Sequence, residues 1–87
     1  MISISPQTRA AAFRQTLVTI IPPKSQSDRT GFRNVAQWLA RKVEAGDFNE
    51  HIFPVVIDFA HEAAGPGVRN PAALFMSLLK KELNYPN

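Results

Sequence analysis

The stretch from Thr30 to Ala45, TGFRNVAQWLARKVEA, limits what this chain can fold into more than any other. Phe32, Val35, Ala36, Leu39 and Val43 recur at steps of three and four, which places them on one side of a helix of about 3.6 residues per turn. Arg33, Gln37, Arg41 and Glu44 fall on the opposite, wet side, while Trp38 sits on the border near Asn34 and Lys42. Thr30 is placed to cap the first turn and Gly46 to stop the helix in the left-handed conformation. An isolated helix of this length is marginal in water, so the rest of the chain must supply cover for the stripe.

The remaining segments read as shorter helices with their own punctuation. Ser5-Pro6 opens one, with serine as cap and proline at the first helical position, where its missing N–H costs nothing. Ala10, Phe13 and Leu17 continue that stripe, but Leu17 to Ile21 is rich in β-branched residues and could end as an extended strip before Pro22-Pro23. Residues 22–30 are polar and aperiodic and read as a loop, and 1–5 as a flexible arm. Asp47 and Glu50 stand in a capping-box relation within the connection that follows Gly46. The next helix begins near Phe53 or Pro54, turns Val55, Val56, Phe59, Ala60 and Ala63 inward, and ends before Gly65-Pro66-Gly67. Asn70-Pro71 then opens a last helix with the stripe Ala72, Phe75, Met76, Leu79 and Leu83. The expectation is one all-α domain over residues 1–87, a compact bundle of three to four short helices near 6–17, 31–45, 54–64 and 71–83. Its core is expected to hold Phe13, Leu17, Val35, Leu39, Val43, Val56, Phe59, Phe75, Met76 and Leu79.

The segment Arg69-Asn70-Pro71-Ala72-Ala73-Leu74-Phe75 with Leu78-Leu79 resembles the closing helix of some plasmid-type replication initiators, where an Asn-Pro-led helix follows one ending in small residues. The likeness covers capping and core positions and implies no functional residue.

Hydrophobic residues make up 45% of the 87 positions, enough for a core and too many for wholesale disorder. Without cysteine there is neither a disulfide framework nor a thiolate metal site. Apolar runs are too short to cross a bilayer, and no secretory pattern opens the chain, so a cytoplasmic protein without membrane partners is expected. The net charge of +3 is unevenly spread. Met1 to Val43 holds seven Lys or Arg against the single acid Asp28, or +6, whereas Glu44 to Asn87 carries −3. A dipolar chain of this kind suits nucleic acid, an acidic protein surface, or a second copy of itself.

Motifs for chemistry are scarce. Asp58, His61 and Glu62 share a helical face, but Gly65 stands where a zincin-type helix needs its second histidine. No Gly-x-Ser-x-Gly elbow surrounds Ser25, Ser27 or Ser77. No enzyme, metal or cofactor is therefore expected. The stronger feature is a run of cations and amides along the main helix: Arg29, Arg33, Asn34, Gln37, Arg41 and Lys42. Arginine and amide side chains pair with base edges, while Arg and Lys heads meet phosphate. The reading is a small non-enzymatic binding domain associated with DNA, of a replication or transcription accessory type. The same residues equally suit a solvated helix face, or a protein-interaction or homodimerisation module with Trp38 as its apolar anchor.

Overall fold

The computed structural model describes residues 5–86, and within them the chain forms four α-helices and no strand. They are α1 (Pro6–Ile20), α2 (Gln26–Glu44), α3 (Ile52–Ala63) and α4 (Pro71–Leu83). The architecture is an all-α bundle. Residues 1–4 of the expected arm lie outside the described residues, and Ser5 caps α1 by accepting the Thr8 amide at 3.2 Å.

Two helices run further than their apolar periodicity indicates. The stretch from Leu17 to Ile21, left open between helix and extended strip, is helical through Ile20, because Leu17 and Ile21 are fully buried and the helix is what delivers them to the core. Thr16 and Thr19 return their hydroxyls to the carbonyls of Ala12 and Gln15, at 3.1 and 3.0 Å, so neither competes with the helix for an amide. Ile21, immediately before Pro22, leaves the helical region at φ −123°, ψ 87°. The expected loop over residues 22–30 closes at Ser25, not at Thr30. Ser25 Oγ accepts the Asp28 amide at 3.2 Å, and the Asp28 carboxylate accepts the Lys24 amide at 3.0 Å. That Ser-x-x-Asp pairing satisfies orphan donors and puts an anion at the positive end of the helix, so α2 gains a polar first turn that apolar spacing does not reveal.

At its other end α2 stops as expected on Gly46, at φ 81°. The Gly46 amide reaches Val43 O at 3.1 Å and the Asp47 amide reaches Lys42 O at 2.9 Å, a Schellman arrangement that reverses the chain. The turn before α3 is not organised by Asp47 and Glu50. Asn49 holds it, with its carboxamide oxygen accepting the His51 amide at 3.0 Å. Asp47 instead pairs with Lys42. Pro54 falls in the first turn of α3, where its missing N–H breaks no bond. Asn70 Oδ1 caps α4 through the Ala73 amide at 3.1 Å, ahead of Pro71.

Helix α1 packs along α2 and against α3, and α3 packs on α4. Phe13 meets Phe53 across α1 and α3, with ring centres 5.7 Å apart. Phe32 meets Phe75 edge-on across α2 and α4, at 6.0 Å. Ala40, Ala60 and Ala63 are fully buried, so small residues as well as rings build the core. Of the expected core, Phe13, Leu17, Val35, Leu39, Val56, Phe75 and Leu79 are buried. Val43, Phe59 and Met76 are only partly covered and pack at its margin. Val55, expected inside, is 42% exposed, because Phe53, Val56, Ala60 and Ala63 set the buried side of α3 and leave Val55 across the helix from them.

Candidate functional site

The exposed side of α2 follows from its capping and its stripe. With Phe32, Val35, Ala36 and Leu39 turned inward, Arg29, Arg33, Asn34, Gln37 and Arg41 are all exposed. Among the described residues, none of these five makes an ion pair or a side-chain hydrogen bond.

Lys42 differs from them in its contacts. It is half-buried beside the Asp47 carboxylate at 3.5 Å and 5.9 Å from the centre of the Trp38 ring. One residue beyond Arg41, it turns off the exposed ridge towards the Gly46 corner. Trp38 is also engaged within the chain. It is 8% exposed, edge-on to Phe48 at 5.6 Å and to Tyr85 at 4.9 Å, so a partner would meet little more than its rim.

Two other helices add cations that the α2 sequence alone does not disclose. On the α1 side, Arg14 lines a groove of 470 Å³ with Arg29, and a smaller one of 150 Å³ with Arg33 and Gln37. On the α4 side, Lys80 lines a groove of 420 Å³ with Asn34, Gln37 and Arg41. Gln37 borders grooves on both sides and so marks the crest between them. The signal for Arg14 and Lys80 is weak but present. Each lies four residues after a core or marginal residue, Ala10 and Met76, on the flank that turns towards α2. Together the three grooves are lined by five cations, Arg14, Arg29, Arg33, Arg41 and Lys80, and by no carboxylate.

Two acids belong to α2 itself and lie near its two ends: Asp28 lines a fourth groove, of 140 Å³, with Gly31 and Met76, and Glu44 is the last residue of the helix. Glu44 takes a hydrogen bond from Gln7 at 3.1 Å, and Glu50 lies 3.3 Å from Arg9 on the α3-facing flank of α1. Arg9 Nε is sealed from water and lacks hydrogen-bond geometry to that oxygen, so this is an ion pair by distance only. The two halves of the dipolar sequence thus partly meet within the chain, and Arg9 is drawn off the basic face. Asp58, His61 and Glu62 are exposed on α3, and no three His, Asp or Glu side chains among the described residues gather to hold a metal ion.

One ionisable group near the basic face is displaced in its titration. Burial pushes the Tyr85 phenol above its ordinary value, and the positive charge of Arg41 partly opposes the shift. Tyr85 is brought there by the end of α4. Asn84 adopts the left-handed conformation at φ 56°, its amide bonded to Leu79 O, and the Tyr85 amide reaches the same carbonyl at 3.3 Å.

No helix among the described residues is long and apolar enough to cross a membrane. Comparison with protein-family models, with curated proteins and with solved structures found no match for this chain.

Proposed function

We propose that this chain is a small, non-enzymatic DNA-binding domain of a replication or transcription accessory type, and that it meets duplex DNA with the exposed face of α2. The observation that carries the reading is the segregation of charge. Arg14, Arg29, Arg33, Arg41 and Lys80 surround the crest of α2, and no acid lines the three grooves they border; Asp28 lines only a fourth, beside the start of the helix. A surface serving only to solvate a helix has no need to gather cations from three helices. The expected division of labour follows from chemistry. Arg14 and Arg29 meet phosphate beside the groove on the α1 side, and Arg41 does so on the α4 side. Asn34 and Gln37, on or beside the crest, are the amides placed to touch base edges, with Arg33 able to donate to guanine. Lys42, drawn towards Asp47 and Trp38, stands at the edge of the contact set.

A second reading places an acidic protein on the same arginines. It is the weaker one, because Trp38, the apolar anchor it requires, is packed against Phe48 and Tyr85. Binding of duplex DNA, heparin and an acidic protein at one ionic strength separates the two. Duplex DNA should be preferred to heparin, and Arg33→Ala and Arg41→Ala should each remove that preference. Equal affinity for DNA and heparin, or indifference to both substitutions, would contradict the proposal.

A further inference from the structure

The groove between α2 and α4 is built differently from those on the α1 side. Two aromatic rings line it, Trp38 and Tyr85, with Met76 next to them. Asn34 contributes an amide from α2, and Arg41 and Lys80 contribute one cation from each helix. Its aromatic wall is held in place. The left-handed turn at Asn84 fixes Tyr85, which stands at 90° to the Trp38 ring with centres 4.9 Å apart. The volume of 420 Å³ falls in the range of small-ligand sites, roughly 300–1,000 Å³.

We infer that this groove takes one unpaired nucleotide of a DNA strand, with its base against Tyr85 and Met76 and its phosphate between Arg41 and Lys80. The inference rests on the DNA reading above and narrows the partner to DNA that carries a single-stranded stretch beside the duplex. A free base has an aromatic face to offer to Tyr85 and an edge to offer to Asn34, which then leaves the duplex base edges to Gln37, and its phosphate needs a cation within reach. A base inside a duplex has both faces covered by its neighbours and cannot enter a groove of this size. A peptide carboxylate would use Arg41 and Lys80 but leave the aromatic wall idle.

Trp38 is the sole tryptophan, so its fluorescence reports on this groove directly. The test compares a blunt duplex with the same duplex bearing a short thymidine arm, at one low salt concentration, for the natural chain and for Lys80→Ala. Lys80 is exposed, so its truncation leaves the core intact. The arm should tighten binding by about fivefold or more, as stacking of one base on an aromatic ring does. It should also change the Trp38 emission, and Lys80→Ala should erase the arm's advantage. If armed and blunt duplexes bind alike, or if the arm tightens binding without changing Trp38 emission, the groove assignment is wrong while the DNA reading stands. If neither duplex binds, both fall together.

Discussion

Single residues divide into those that hold the fold and those that the fold leaves free. Leu39 is 0% exposed within α2, so Leu39→Ala strips three carbons from the buried core. The expected loss is about 2–5 kcal/mol, a large part of the stability of a domain this small. Urea denaturation checks it, and a loss below about 1 kcal/mol would mean that α2 packs by another face. Tyr85 has a different role. Its phenol is raised above the ordinary value of about 10 by burial, so the folded chain holds that proton more tightly than the unfolded one. The stability it contributes is therefore complete below the unfolded pKa and is lost as pH rises through the folded value. Unfolding followed by Trp38 emission should show this decline on the alkaline side, and Tyr85→Phe should flatten it. An unchanged decline in Tyr85→Phe would assign it to other groups.

At the scale of elements, the sequence discloses stripes well and ends poorly. All four helices were visible as apolar spacing, and Ser5-Pro6, Gly46 and Asn70-Pro71 marked three of their limits in the expected way. The misplaced start of α2 has a definite cause. Its first turn, from Gln26 to Arg29, buries nothing large and is held by Ser25 and Asp28, whose Ser-x-x-Asp spacing was present but lay outside the periodic run. Ser25→Ala should cost about 1 kcal/mol and fray this turn, visible as faster amide exchange at Asp28 and Arg29, while the turns from Val35 onward stay protected. Uniform loss of protection along α2 would mean that the cap is not what holds this end. Gly46→Ala tests the opposite end. No neighbour crowds an added methyl there, so the expected cost of about 1–2 kcal/mol comes from the left-handed backbone alone. Of the candidate face, spacing disclosed the exposed positions on α2. The cations of α2 could be ordered from spacing, because Arg29, Arg33 and Arg41 depend only on helical periodicity. Lys42, Trp38, Arg14 and Lys80 depend on what the neighbouring segments bring: Asp47 after the Gly46 corner, Tyr85 after the Asn84 turn, and the flanks of α1 and α4. No periodicity within one helix carries that information.

For the whole molecule, the consequence is a surface with two characters. The flank of α1 that faces α3 spends its arginine, Arg9, on Glu50, and α3 presents Asp58 and Glu62 to solvent. The crest of α2, with Arg14 on one side and Lys80 on the other, carries cations that form no ion pair among the described residues, and the acids of α2, Asp28 and Glu44, lie near its two ends. Such a field steers an anionic partner towards one face and repels it from the other, most strongly within a Debye length of about 10 Å at ordinary salt. The most direct measurement is therefore of position. Titrating short duplex DNA into the isotope-labelled chain at low salt, with amide chemical shifts followed by NMR, asks which face responds. Shifts should concentrate on residues 29–41 of α2, on Arg14 and on Lys80, with Asp58 to Glu62 of α3 unmoved. Shifts centred on α3 or on the Phe13–Phe53 side of the bundle, or no shifts at all, would contradict the assignment of α2 as the DNA-binding face.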